Sequence, residues 1–391
     1  MTRKLYDEDA YLSHFTARVL SCRPEGKAFW VLLDQTAFFP EEGGQSCDTG
    51  TLGEAKVLAV RLSEGEVWHK TDRPLPPEEE VAGQIDFAER FRKMQNHTAE
   101  HMFSGYCHRA FGANNVGFHL GSVDMTADLD LPLSQEQLAE AEAAVNRFAA
   151  ENRRVMAEYP DPETLGKMEY RSKLALTQGV RVVTVEGVDA CACCAPHVKT
   201  TAEIGVFKIL QVESHKGGVR VHMLAGLWAF EELRRRHAQV AALAESLSVK
   251  RDEVEEAVAR LEADRLKGKG QIAVLQLALA KEKVKHLPEC GGAAIVFTGE
   301  KDPVLLQLCA VLAQEKNGGL GAAFGGKDGD YMYVIAGGEG DELSPLAPRI
   351  NQALGGKGGG RGNLLRGTAA VEEAAIRRGL EEIGLEAGLL A

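Results

Sequence analysis

The chain has 391 residues, a formal net charge of −12, 45% hydrophobic and 26% charged residues, a composition ordinary for a soluble protein of roughly two to four domains. The negative charge argues against a protein that coats nucleic acid, because such binding depends on Lys and Arg neutralising phosphates. No stretch approaches the roughly 18 consecutive apolar residues of a membrane span, and the N-terminus lacks the apolar core of a secretion signal, so we expect a cytoplasmic protein.

Residues 1–85 contain short apolar segments separated by turns, a pattern that predicts a small β-barrel or sandwich. The predicted strands are Phe15–Ser21, Ala28–Leu33, Ala55–Leu62 and Glu66–His69. Three prolines and three glutamates between residues 74 and 80 predict a connector to the next domain.

Residues 86–228 begin with a predicted helix that carries His97 and His101. Residues i and i+4 are neighbours on a helix, so the two imidazoles share one face and form half of a metal site. Alone, such a pair is more often ordinary surface or core histidine. Glu100 directly precedes the second histidine, unlike the glutamate of the zinc-peptidase motif, so a peptidase would lack its general base.

The remaining elements of this segment predict an α+β domain. Gly112 is expected to end the first helix, and Ser134 to cap a second helix that runs to about Tyr159. The residues expected to form the buried stripe of the first helix are Phe91, Met94, Ala99, Met102 and Phe103. Further strands are predicted at 118–124, 180–185, 205–212 and 218–224.

A second pair of metal ligands, Cys193 and His197, lies in a predicted loop between two of these strands. Together with His97 and His101 it offers three imidazoles and one thiolate, which match the tetrahedral nitrogen and sulfur preference of zinc. In a reducing compartment, the close set Cys191, Cys193 and Cys194 also favours metal ligation over a disulfide framework.

Residues 229–290 predict helices with apolar stripes, broken near Ser248 and at Gly268–Gly270. These stripes are packing surfaces, within the chain or against a second copy. Residues 291–391 alternate strands and helices and predict an α/β domain. Its strands are expected at 293–298, 321–324 and 331–336, and its helices at 303–316 and 345–354.

Two glycine-rich stretches of this last domain raise the question of phosphate binding. Gly355–Gly362 is either a place where backbone amides approach an anion or a flexible loop. Gly321–Lys327 has the spacing of a Walker loop, but Asp328 stands where Ser or Thr must hold magnesium, so we exclude nucleotide hydrolysis.

Basic residues occur in three places, and each of them is either a contact for nucleic acid or an ordinary solvated face. The candidates are Arg90, Arg92 and Lys93 beside the first ligands, Arg220 on a later strand, and Lys357, Arg361 and Arg366 near the C-terminus.

Four motifs resemble those of the stand-alone alanyl-tRNA editing proteins, which are similar to the editing and C-terminal portions of alanyl-tRNA synthetase. Asp34–Gln45 followed by Asp48–Gly50 resembles the family's glycine-glutamine loop in an N-terminal barrel. His97–His101 and Cys193–His197, continued by Thr201–Gly205, resemble its two zinc half-sites. Gly355–Gly362 resembles the glycine-rich signature of the DHH-associated domain.

The resemblance implies a zinc-dependent deacylase that hydrolyses serine, or also glycine, wrongly esterified to alanine tRNA. No domain for activating alanine with ATP precedes the motifs, so synthesis of aminoacyl-tRNA is not implied. One departure is the spacer Cys194-Ala195-Pro196, where the family commonly has Gly-Gly-Thr. The ligand spacing is kept, so the departure affects the pocket wall and the substrate preference and not the reaction class.

Zinc with four protein ligands is usually structural, whereas a catalytic site keeps one position open. Two alternatives therefore remain: the metal touches the substrate after a ligand such as His197 moves, or it only shapes the pocket. His119 is the candidate for sensing the substrate hydroxyl, because the family places a polar pocket residue near here. Gln45 and Thr98 are candidates for the same cavity, and ordinary packing is the alternative for His119 and Thr98.

Two other functions compete with deacylation. In the first, the chain is a zinc-stabilised module that binds tRNA or a partner and catalyses no reaction. In the second, it is a zinc hydrolase of small esters or amides. The helical segment and the last domain resemble parts that assist tRNA binding or pair two copies, so a homodimer is a further expectation.

Overall fold

A computed structural model describes residues 1–121, 124–172, 179–287 and 292–386. The chain forms two compact units, Met1–Ala242 and Leu243–Ala391, and both mix helices with sheets. The predicted domain boundary at 290/291 and residues 122 and 123 of the predicted strand 118–124 lie outside the described residues. Among the described helices, none combines the length and the low charge needed to cross a lipid bilayer.

The first unit begins with a ring of six antiparallel strands. Their order is β2–β3–β7–β6–β5–β8, and β8 pairs with β2, which closes the barrel. The elements of this region are β1 (Arg3–Lys4), α1 (Leu5–Glu8), β2 (His14–Glu25), β3 (Ala28–Leu33), β4 (Gln35–Thr36), β5 (Gly50–Leu52), β6 (Ala55–Ser63), β7 (Glu66–Thr71) and β8 (Glu80–Ile85).

The closing strand β8 starts inside the segment that the sequence predicted as a connector. Its residues alternate between exposed and buried, with Val81, Gly83 and Ile85 facing inward. A Cβ at Gly83 would lie 2.3 Å from the Phe15 ring, so the glycine makes room for that ring in the barrel. The sequence analysis missed this strand because it gave weight to the prolines that precede it. The alternation of inward-facing and outward-facing residues along the segment is typical of a strand.

The ligand-bearing region packs helices against antiparallel sheets. The sheet next to the site has the order β14–β15–β10–β9. The elements are α2 (Phe87–Phe111), β9 (Asn115–Leu120), β10 (Met125–Leu129), α3 (Gln135–Ala150), β11 (Val155–Glu158), α4 (Pro162–Lys167), β12 (Val182–Val185), β13 (Asp189–Ala192), β14 (Phe207–His215), β15 (Gly218–Ala225) and α5 (Gly226–Leu247).

Helix α2 has the ends and the buried stripe expected from its sequence. The Asp86 side chain accepts from the Glu89 amide at the N-terminus, and Gly112 adopts φ +70° at the C-terminus, where a side chain would be strained. Of the predicted stripe, Phe91 is half-buried, and the other four residues are fully buried in the main core of the unit.

Helix α3 is shorter than predicted. Its cap is confirmed, because Ser134 and Gln137 form a reciprocal capping box. The helix ends at Ala150, however, and Asn152 takes a positive φ of 53° that redirects the chain. Residues Val155–Glu158 then pair with β12 as a strand instead of continuing the helix.

The second unit contains one long helix and a five-stranded sheet of order β16–β17–β18–β20–β19. The elements are α6 (Val254–Lys285), β16 (Ala294–Phe297), α7 (Pro303–Asn317), β17 (Gly321–Lys327), β18 (Asp330–Ala336), α8 (Ala347–Ala353), β19 (Gly358–Arg361), β20 (Leu364–Ala369) and α9 (Glu373–Glu386). Helix α9 was not predicted from the sequence.

One prediction for this unit is wrong. Helix α6 continues through Gly268 and Gly270, because two glycines at about 1 kcal/mol each do not interrupt a helix of 32 residues. In the stretch Gly355–Gly362, the four residues Gly358–Arg361 form the edge strand β19, so the stretch is not simply a flexible loop. A Cβ at Gly358 would lie 2.2 Å from the Tyr333 hydroxyl, so close packing explains this glycine.

Candidate metal centre

The four predicted ligands His97, His101, Cys193 and His197 converge in the first unit. One donor atom from each lies within 4.8 Å of the others. Cys193 Sγ is 3.6 Å from His97 Nε2 and 3.4 Å from His197 Nε2. The helix turn with His97 and His101 therefore lies against the loop with Cys193 and His197, as the prediction of a shared metal site required.

The loop with Cys193 and His197 follows β13 directly and is fixed by Arg181. The Arg181 guanidinium donates to the backbone carbonyls of Cys193 at 3.0 Å and of Ala195 at 2.8 Å. The Cys193 amide in turn donates to the Arg181 carbonyl at 3.0 Å. Because these groups are buried, their hydrogen bonds hold the loop in the conformation that brings Cys193 and His197 together.

Thr98 fixes the tautomer of His197. The Thr98 hydroxyl donates its only hydrogen to the Met94 carbonyl at 2.8 Å. Its oxygen lies 2.9 Å from His197 Nδ1 and therefore accepts the hydrogen of that nitrogen. His197 consequently presents an unprotonated Nε2 towards Cys193.

Gln45 holds His97 in the same way. Gln45 Oε1 lies 2.8 Å from His97 Nδ1, while His97 Nε2 faces Cys193 Sγ. With Nε2 turned to the cluster, Nδ1 is the donor and the amide oxygen accepts. Gln45 is 1% exposed, and its Nε2 has no hydrogen-bond partner among the described residues, so its amide hydrogens are available to a ligand.

These contacts show that the cluster suits a cation. The Cys193 thiol has a single hydrogen, which cannot serve both imidazole nitrogens that face it. Burial raises the pKa of the Cys193 thiol. Burial, followed by the neighbouring His101 and His97, holds the pKa of His197 well below its usual value. A buried set of one sulfur and three imidazole nitrogens is the donor set that zinc prefers.

His101 also belongs to a second group of close donor atoms, with Asp189 and Cys191. Arg171 occupies the carboxylate of Asp189 with two hydrogen bonds of 2.8 and 2.7 Å. A second cation here would stand next to that guanidinium, so we assign a single metal position to the site.

The structure does not support the predicted role of His119. Side chains alternate across a strand, and the ring of the adjacent Phe118 packs on His97 with centroids 4.6 Å apart. His119 therefore points to the opposite face of β9, where it is exposed. The residue of this strand that packs on the cluster is Phe118, which the sequence analysis missed.

Two of the predicted basic contacts are internal. Lys93 is buried and donates to the Cys47 carbonyl at 2.6 Å, so it is not available to a phosphate. Arg90 is fully buried against Asp48. The exposed or half-exposed candidates are Arg92, paired with Glu231, Arg220, paired with Asp128, and Lys357, Arg361 and Arg366 in the second unit.

The sequence is similar to proteins of alanyl-tRNA metabolism. The family described as threonyl and alanyl tRNA synthetase second additional domain matches residues 180–222, which include Cys193 and His197. The chain is 30% identical to the alanyl-tRNA editing protein Aarsd1 of Mus musculus, over 93% of each protein. It is 32% identical to the alanine–tRNA ligase of Thermococcus kodakarensis, over 94% of this chain and 41% of the ligase.

Solved structures give weaker matches. The match to the C-Ala domain of the alanyl-tRNA synthetase from Aquifex aeolicus covers 24% of this chain and 88% of that domain. It has 18% sequence identity and a TM-score of 0.20.

Proposed function

The chain belongs to the family of alanyl-tRNA editing proteins, and from this membership and the cluster of four donors we propose that it deacylates mischarged alanine tRNA. The substrate we propose is seryl-tRNA, with glycyl-tRNA as the second. The observation that carries the proposal is the convergence of His97, His101, Cys193 and His197 within 4.8 Å in a family whose named members edit alanyl-tRNA.

We assign zinc to these four side chains on the fit of their donor set. Zinc, when bound, supplies a Lewis acid that polarises an ester carbonyl or lowers the pKa of a water. The residues of the chain prepare this position. Gln45 and Thr98 direct His97 and His197, and Arg181 fixes the loop that carries Cys193.

Gln45 is the residue we propose to contact the reacting ester. Its oxygen is engaged by His97, which fixes the orientation of the amide. Its buried Nε2 then points a preorganised donor at the oxygen on which negative charge develops during attack on the ester. A fixed donor in a buried site stabilises this charge without reorganisation, and this is the catalytic contribution we assign to Gln45.

The family and the exposed cations support a proposal for the RNA contacts. Arg92 and Arg220 in the first unit, and Lys357 and Arg361 in the second, are the candidates for contacts with tRNA phosphates. We also propose that residues 291–391 of the second unit form the family's DHH-associated domain. Helix α6 leaves Leu261, Leu266, Ile272 and Leu275 more than half exposed in the single chain, which favours pairing of two copies.

A deacylation panel tests the proposal. Seryl-, glycyl- and alanyl-tRNA are incubated with the wild type, with Cys193→Ala and with the matched control Cys22→Ala, a half-buried cysteine of the barrel. We expect the wild type and Cys22→Ala to hydrolyse seryl-tRNA and to spare alanyl-tRNA, and Cys193→Ala to be inactive.

The same panel separates the competing functions. A zinc-stabilised binding module would bind tRNA and contain zinc but deacylate none of the three substrates. A hydrolase of small esters would cleave short esters and be indifferent to tRNA.

A further inference from the structure

The carboxylate of Asp189 lies beside the Nδ1 nitrogen of His101, one of the four candidate ligands. Asp189 Oδ2 is 3.7 Å from His101 Nδ1, and the two side chains are 4% and 3% exposed. At 3.7 Å the two atoms are in contact, and a hydrogen bond between them requires a small rotation of the ring. Asp189 opens β13, and Cys193 follows that strand directly, so one short segment supplies both groups.

Arg171 holds the Asp189 carboxylate in place. Its guanidinium donates to both carboxylate oxygens, and its backbone is anchored to β13 on both sides. The Arg171 amide donates to the Ala190 carbonyl at 2.8 Å, and the Ala192 amide donates to the Arg171 carbonyl at 2.9 Å. The carboxylate is therefore neutralised and directed within a buried setting, where an unpaired charge would be costly.

Gly105 makes the space that Asp189 occupies. It lies on α2 one turn after His101, on the same face of the helix. A Cβ at this position would be 2.6 Å from Asp189 Cβ and 2.7 Å from Cγ and Oδ1. Glycine inside a helix costs about 0.5–1 kcal/mol relative to alanine, and here the cost is offset by the access that it gives to the carboxylate.

We propose that Asp189 is a positioning residue for His101. Its carboxylate accepts the hydrogen of Nδ1, so His101 presents Nε2 to the metal position, as Thr98 and Gln45 make His197 and His97 do. This inference rests on the metal site of the proposed function. It assigns to Asp189, Arg171 and Gly105 a joint role that was not predicted from the sequence.

Two matched pairs of variants test the role through zinc affinity, measured on the full chain by competition with a chromophoric chelator. Asp189→Asn keeps the shape of the side chain but loses the carboxylate. Arg171→Met breaks the same ion pair but keeps the carboxylate beside His101. We expect Asp189→Asn to weaken zinc binding by about 10 to 100-fold, and Arg171→Met, which keeps the acceptor but no longer holds it in place, to weaken zinc binding clearly less than Asp189→Asn.

The glycine supplies the second pair, in case Asp189→Asn does not fold. Gly105→Ala pushes against the carboxylate, whereas Gly268→Ala changes a helical glycine with nothing within 4 Å. We expect weaker zinc binding for Gly105→Ala and wild-type binding for Gly268→Ala. Cobalt substitution gives an independent readout, because a rotated His101 alters the absorption spectrum of the bound ion.

Three outcomes would overturn the proposal: equal losses for Asp189→Asn and Arg171→Met, unchanged affinity for Asp189→Asn, or unchanged affinity for folded Gly105→Ala. The first would mean that the ion pair is only structural. A wild type that binds one zinc but deacylates nothing would remove the proposed function and leave this role intact. A wild type that binds no zinc would overturn both.

Discussion

Thr98 Oγ1 accepts the Nδ1 hydrogen of His197 at 2.9 Å, because its own hydrogen is committed to the Met94 carbonyl. Thr98 lies next to the ligand His97 on α2. Through this contact it positions a second ligand, His197, which lies 99 positions away in the sequence. The contact also explains why a threonine, which favours helices only weakly, occupies the middle of α2.

Replacing Thr98 with valine should weaken zinc binding. Valine has the shape of threonine but cannot accept from His197 or from the Val198 amide, which lies 3.3 Å from the hydroxyl. We expect about a 10 to 100-fold loss of zinc affinity for Thr98→Val and near wild-type affinity for Thr98→Ser. Equal affinities of the two variants in chelator competition would disprove the positioning role.

Gln45→Glu should separate zinc binding from hydrolysis. The carboxylate keeps an acceptor for His97 but loses the amide hydrogens that we assign to the ester oxygen. We expect zinc affinity to be retained, and kcat on seryl-tRNA to fall by about 100-fold or more, the usual cost of removing one such donor. Rates equal to those of the wild type in single-turnover assays would exclude this role.

Arg181→Met should loosen the ligand loop. The change removes two donors from the buried carbonyls of Cys193 and Ala195, at a cost of about 1–3 kcal/mol for each group left unsatisfied. We expect lower stability of the first unit and weaker zinc binding. Arg109→Met is the control, because Arg109 donates to one exposed carbonyl, that of Gly187. Equal denaturant midpoints and zinc affinities for both variants would contradict the assignment.

His69 should make the barrel sensitive to acid. Burial lowers the pKa of its imidazole from 6.5 to about 4, although a hydrogen bond with the Val31 carbonyl opposes the shift. The unfolded chain therefore takes up a proton below pH 6.5 that the folded chain rejects until about pH 4. The free energy of unfolding should fall across this window by up to about 3 kcal/mol.

Denaturant unfolding at a series of pH values checks this expectation. His69→Gln should unfold more easily than the wild type at pH 7.5 but show a flatter dependence between pH 6.5 and 4. The same slope in both proteins would mean that other groups govern acid unfolding.

The sequence predicted those features that depend on local rules. Gly112 and Ser134 marked helix ends because a positive φ and an N-cap side chain are local requirements. The ligand pairs were recognisable because two metal-binding side chains four residues apart, on a helix or in a short loop, lie close enough to bind the same ion. The convergence of the two pairs could only be inferred from the match to the zinc donor set.

The features that the sequence did not predict depend on distant partners. Lys93 looked like a phosphate contact, but the structure buries its ammonium on the Cys47 carbonyl. His119 was predicted to line the substrate cavity. The structure shows that Phe118 is the residue of β9 that packs on His97, and His119 lies on the opposite face of the strand. Asp189 and Gly105 gave no signal, because an aspartate before a strand and a glycine in a helix are common.

X-ray absorption spectroscopy of the zinc-loaded chain tests the central claim most directly, namely that His97, His101, Cys193 and His197 bind one zinc ion. The account predicts three nitrogen ligands at about 2.0–2.1 Å and one sulfur at about 2.3 Å, with the sulfur shell lost in Cys193→Ala. A shell without sulfur, or a sulfur shell unchanged in Cys193→Ala, would contradict it.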